Sequence, residues 1–216
     1  MVVKTIFGRL NDTYKQVQPE RVLTVDQLAI ERKDHLDLGY ISLNTLEVNI
    51  YFIDEEQKPI WAMTRKHPEF FFQNIDETVR QLRETGNYKI NFHKARDAIQ
   101  DSETVLFDLT KISFSRYKNN WGYLAIPTDN EYSSLNEEDV KAAIRCGFTL
   151  DNLKFLREKG ITETGIYIAA PNYVKKEAPF ARASFLYDLK RNACFIAKVF
   201  TFDLTDGLCI RQYEHL

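Results

Sequence analysis

The sequence predicts an α+β protein in which a mostly antiparallel sheet, built from hairpins and a C-terminal β-meander, is packed by three or four helices. Three observations carry that prediction. Short runs alternate apolar and polar residues with period two, as in Leu46 to Phe52. Turn chemistry such as Asn119-Asn120 and Asp206-Gly207 separates neighbouring runs. Helical periodicity with caps at both ends is confined to a few segments, at 74–86 and 137–160. Strands joined mainly by hairpins, with helices set apart, are the pattern of α+β architecture. A chain of 216 residues can bury most of its apolar surface around one core without disulfides or metal. We read 1–216 as one domain, with the polar loop 128–136 as the best internal boundary.

Taken in order, Val2 to Leu10 reads as a first strand ending at Asn11-Asp12. Residues 13–45 are poorly patterned, and Val22, Leu23, Val25 and Leu28 fit a strand or a short helix. Leu46, Val48, Ile50 and Phe52 alternate with Glu47, Asn49 and Tyr51, which predicts a half-buried strand. The run 54–59 turns the chain, and Ile60 to Thr64 returns as its hairpin partner. Asn74 and Glu77 suit a helix cap, Ile75, Val79 and Leu82 share one face, and Gly86 suits the left-handed terminus. A short helix follows over 92–100. Thr104 to Leu109 and Ile112 to Tyr117 read as strands, the second pairing through Asn119-Asn120 with Trp121 to Ile126. After the helical pair at 137–160, Gly165 to Ala169 is a strand and 171–179 a loop. Ser184 to Leu189 then pairs with Ala193 to Leu204, which is apolar on both faces and therefore central. Asp206-Gly207 turns the chain into Leu208 to Tyr213.

Composition narrows the function. The net charge of −2 supplies no overall basic field for nucleic acid. The 13% aromatic content argues against a mainly disordered chain. Three cysteines, Cys146, Cys194 and Cys209, are an odd number without CxxC spacing, which predicts reduced thiols in a cytoplasmic protein. The first residues lack the apolar core of a signal peptide, and no run approaches a membrane span. The histidines His35, His67, His93 and His215 are scattered. GxSxG, P-loop and GxGxxG signatures are absent, so neither a cofactor nor a metal is expected.

The pair 137–160 is the most informative stretch. Ala143 is small where a second helix would cross, Gly147 suits the turn, and Phe148, Leu153 and Leu156 supply apolar anchors. Over 140–161 it resembles the helix-turn-helix of bacterial transcription regulators, loosely in its MerR-type version. That resemblance implies a DNA-binding regulator using about 140–158, with Thr149, Asn152 and Lys154 at the start of a recognition helix and Arg145 near phosphates. Against this stand Asp151, which would repel phosphate, and the acidic start Glu137-Glu138-Asp139, which suits a helix dipole better. The competing reading is a capped αα-corner packed on the sheet, with Ser134, Glu137 or Thr149 as caps.

Two weaker motifs follow. Gly165-Ile166-Tyr167 resembles the first signature of GIY-YIG nucleases, but no Tyr-Ile-Gly strand follows, so it reads as an ordinary buried strand. Asp188-Leu189-Lys190 resembles the second half of the PD-(D/E)xK motif, which would imply a metal-dependent nuclease around Asp188 and Lys190. A convincing upstream metal-binding aspartate is missing. The aromatic run Phe70-Phe71-Phe72 and the hairpin residues Tyr117, Trp121 and Tyr123 are candidate partner surfaces. Together these features predict a non-catalytic binding or regulatory protein acting through a macromolecular partner, with a protein favoured over nucleic acid or membrane. The DNA-binding regulator and the nuclease are the alternatives.

Overall fold

A computed structural model describes residues 2–6, 21–40, 43–65, 74–118, 120–175, 178–196 and 207–212. Its organising element is β2 (Leu43–Ile53), flanked by β3 (Pro59–Thr64) and β9 (Phe180–Leu186), both antiparallel to it. The β2–β3 hairpin turns through 54–58, as the polar run predicts. One face of β2 carries Val48, Ile50 and Phe52, packed with Ala181 and Ala183 of β9. Above them lie Leu82 of α2 (Ile75–Thr85) and Ala95 of α3 (Phe92–Ile99).

The opposite face corrects the sequence reading. Glu47, Asn49 and Tyr51, expected on the solvent side of a half-buried strand, are 1%, 0% and 0% exposed. The reason is a second, larger apolar cluster that covers this face. It contains Tyr51, Trp61, Phe107, Ile166, Phe180 and Phe195 from strands. Helices add Leu28 from α1 (Val25–Asp34), Ala142 and Ala143 from α4 (Glu137–Arg145), and Leu153 and Leu156 from α5 (Leu150–Glu158). A central strand buried on both faces no longer needs strict polar alternation.

The described sheet has 11 strands, and its main path runs β1-β11-β2-β9-β10-β8-β7-β6. Here β1 is Val2–Ile6, β6 Arg116–Lys118, β7 Trp121–Pro127, β8 Glu163–Ala169, β10 Phe195–Ile196 and β11 Gly207–Gln212. Off that path, β5 (Thr104–Asp108) pairs β3, and β4 (Tyr88–Lys89) pairs β9. Only β11 with β2 and β10 with β8 run parallel among the pairs on this sheet. The short strand β10 lies between β8 and β9, as its two apolar faces predict. The hairpin expected across Asp206-Gly207 involves residues 197–206, which lie outside the described residues. The described part of β11 takes its partners from the start of the chain, Val2 to Ile6, and from Leu43 and Asn44.

Local signals in the poorly patterned region resolve as helix. Val25 to Asp34 forms α1, and the Thr24 backbone N–H donates to Gln27 Oε1 at 3.1 Å to close its first turn. The better patterned caps form as expected: Asn74 Oδ1 accepts from Glu77 N at 3.3 Å, and Gly86 sits at φ 73°. Five α-helices are therefore present among the described residues, the one in the poorly patterned region included.

Candidate functional site

The helical pair 137–160 leaves β7 and returns to β8, its antiparallel neighbour, with Pro127 opposite Glu163. It is thus an excursion between adjacent strands. Asn136, two residues beyond the expected Ser134, caps α4: its side chain accepts from Asp139 N at 2.9 Å, and Asp139 Oδ2 accepts from Asn136 N at 3.3 Å. Asp139 is fully buried and its other oxygen accepts from Ser113 N at 2.9 Å. Along the free edge of β5, Glu138 accepts from Asp108 N at 3.2 Å, Lys141 Nζ donates to Leu106 O at 2.8 Å, and Arg145 donates to Glu103 O. The charges of α4 therefore seal a strand edge, which would otherwise offer unpaired backbone groups.

The residues proposed for a recognition helix separate. Asn152 is 6% exposed and spends its amide on Gly147 O at 2.8 Å. The Thr149 hydroxyl accepts from Asn152 N at 3.3 Å as the cap of α5. Arg145 is half-buried on the β5 edge, and Lys154 is exposed. Gly147 at φ 83° and Gly160 at φ 79° end the two helices. Phe148 is 0% exposed in the larger cluster.

The nuclease residues also acquire local roles. Asp188 caps a short 3-10 turn, Leu189–Arg191, by accepting from Arg191 N at 3.1 Å; Lys190 is exposed on that turn. Among the described residues, no group of three His, Cys, Asp or Glu side chains could hold a metal ion. Gly165-Ile166-Tyr167 lies inside β8, where Gly165 lets the Tyr123 ring lie on the backbone: a Cβ there would fall 2.4 Å from that ring.

Of the candidate partner surfaces, Phe70, Phe71 and Phe72 lie outside the described residues. The hairpin β6–β7 is described and carries an aromatic and cationic cluster. Arg116 lies over the Tyr123 ring at 4.1 Å and donates to the Tyr167 hydroxyl at 2.9 Å. Tyr123 is 3% exposed; its hydroxyl donates toward Glu163 Oε1 and Thr164 O, each at 3.0 Å, and burial pushes its phenol pKa up. Tyr117 is 60% exposed, with its ring 5.4 Å from Phe114. Trp121 turns the other way and stacks at 4.0 Å on the guanidinium of Arg182, which is only 2% exposed. Sequence reasoning picked out Trp121, Tyr117 and Tyr123 but missed Arg116 and Arg182. The available signal for Arg182 was a lone charge inside the apolar run Phe180 to Leu186.

No protein-family model matches the chain, and no curated protein matches it. A solved structure described as accommodating massive sequence variation in Nanoarchaeota by the C-type lectin fold is similar to it with a TM-score of 0.60. The match covers 97% of this chain and 95% of that one at 13% identity. The architecture is therefore C-type lectin-like. No helix among the described residues is long and apolar enough to cross a membrane.

Proposed function

We propose that this chain is a non-catalytic binding protein that engages a protein partner through the β6–β7 hairpin. The observation that carries this reading is the contrast between two strand edges. The edge of β5 is sealed by Glu138, Lys141 and Arg145. The three residues of β6, at the end of the sheet path, are all exposed. They are Arg116, Tyr117 and Lys118, and tyrosine and arginine are the residue types that dominate binding hot spots. Arg116 is held in place by two tyrosines, so little side-chain freedom is lost when a partner docks on it. The fold likeness supports a scaffold role, since the similar structure is described as accommodating sequence variation on this fold. We also place the protein in the cytoplasm, a reading supported by the free, buried thiols of Cys146 and Cys194.

A photo-crosslinking residue at position 117 tests the proposal, with the same residue at position 150 as the reference. Leu150 is also exposed, at 49%, but lies on α5. In the cells that make the protein, position 117 is expected to yield one adduct of discrete mass that Arg116→Ala weakens. Equal labelling from both positions, or none from 117, refutes the reading.

A further inference from the structure

A second feature lies beneath the hairpin and stands independently of the edge-strand reading. Arg182 and Asn49 are direct cross-strand partners on β9 and β2, so their side chains emerge side by side on the same face. Tyr51 is the next residue of β2 on that face, its ring 5.7 Å from the guanidinium. All three are almost completely buried, at 2%, 0% and 0% exposure.

Their hydrogen bonding is lopsided. Arg182 Nε donates to Asn87 Oδ1 at 2.6 Å, while Nη1 has no partner. Asn49 Oδ1 accepts from Trp61 Nε1 at 2.8 Å. Because an indole N–H can only donate, this bond fixes the amide orientation and leaves Asn49 Nδ2 as the free end, without a partner. The Tyr51 hydroxyl is likewise buried; the Ala169 backbone N–H lies beside its oxygen, and its O–H finds no acceptor. No carboxylate among the described residues forms an ion pair with Arg182, and burial pulls its pKa down to about 10. The rings of Trp121, Phe180, Tyr173 and Tyr51, at 4.0, 4.8, 5.5 and 5.7 Å, face the cation and soften its burial. They accept no hydrogen bond from Nη1. A buried donor without an acceptor loses its hydration with nothing in return, so three together need an explanation.

From these donors without acceptors on one shared face we infer that Arg182, Asn49 and Tyr51 form an oxyanion site that takes a carboxylate or phosphate group. The site is donor-rich and carries a fixed positive charge, which matches an oxyanion and rejects a cation. Trp121 and Tyr173 are only partly buried and close over Arg182, so they are the side chains that must swing aside to admit the anion. Arg145, another arginine with a buried nitrogen lacking a hydrogen-bond partner, has Glu47, Asp26 and Glu103 around it and provides the contrast.

The test is a titration of the full chain with sodium phosphate and, separately, sodium acetate, each against sodium chloride at constant ionic strength. Tryptophan fluorescence and thermal unfolding report. Trp121 sits on the guanidinium, so a saturable fluorescence change is expected with phosphate, acetate or both, accompanied by a rise in Tm. The anion that saturates at lower concentration identifies the class of ligand. Arg182→Lys, which keeps the charge but loses the forked donors, is expected to weaken the response at least tenfold, and Trp121→Phe to remove the fluorescence change but not the Tm rise. If the wild-type protein responds to neither anion more than to chloride, the inference is overturned. It is also overturned if Arg182→Lys responds like wild type, or if a crystal structure grown in saturating anion shows only a water bonded to Nη1 and Nδ2.

Discussion

Replacing Gly147 by alanine tests whether the helical corner is a packed connector. Gly147 sits at φ 83°, where an L side chain costs roughly 1–2 kcal/mol. Part of that is offset, because alanine restricts the unfolded chain by about 0.4–1 kcal/mol. Gly160, at φ 79°, carries the same backbone cost, but a Cβ there meets nothing within 4 Å. At Gly147 the added Cβ would lie 3.1 Å from the Val25 carbonyl oxygen, 3.3 Å from its carbon and 3.4 Å from Ala29 Cβ. The corner would have to retreat from α1 while Cys146 and Phe148, on either side of it, are both 0% exposed. Overpacking of this kind costs about 1–3 kcal/mol. Gly160→Ala is therefore expected to lose about 1 kcal/mol or less, and Gly147→Ala about 2–3 kcal/mol. The difference, about 1–3 kcal/mol, corresponds to a Tm lower by roughly 2–12 °C for a chain of this size. Urea unfolding measures it, provided the slope m is unchanged between variants. Equal losses for the two variants would refute the docking of the corner on α1.

The remaining predictions concern other buried features. Glu47 is fully buried and its carboxyl pKa is raised, first by desolvation, against the lowering effects of Thr45, Val25 N–H and Arg65. The folded state then holds the Glu47 proton more tightly than the unfolded state. This stability is complete below the ordinary value of 4.5 and is lost as pH rises through the raised pKa. Glu47→Gln should abolish that loss, so the wild-type-minus-variant stability should fall as pH rises above about 4.5; a flat difference contradicts it. Gly165→Ala places a Cβ 2.5 Å from the Leu124 carbonyl oxygen, a backbone atom, as well as against the Tyr123 ring. A loss of about 3 kcal/mol or more is expected in chemical unfolding, and a near-neutral result would refute the packing of Tyr123 on β8.

The candidate surface was partly legible in sequence. Tyr117 and Trp121 stood out as aromatics beside an Asn-Asn turn, and that hairpin forms. Their partners did not, because Arg116 reaches Tyr167 on another strand and Trp121 reaches Arg182 on a third. The helix-turn-helix pattern illustrates the converse. Small and apolar residues at the corner specify close helix packing, and they cannot say whether the outer face meets DNA or the inner face meets β5 and α1.

What the sequence determined by itself is the local grammar: the hairpins of β2–β3 and β6–β7, the caps at Asn74 and Thr149, and the left-handed glycines that end three helices. Each depends on φ/ψ preferences and hydrogen bonds within a few residues. Tertiary structure alone decided that Glu47, Asn49 and Tyr51 are buried, that β11 closes onto β1, and that Arg182 faces Asn49. These contacts join residues more than a hundred positions apart. Which distant strand covers a given face is set by the burial of the whole apolar surface, a quantity no short window of sequence contains.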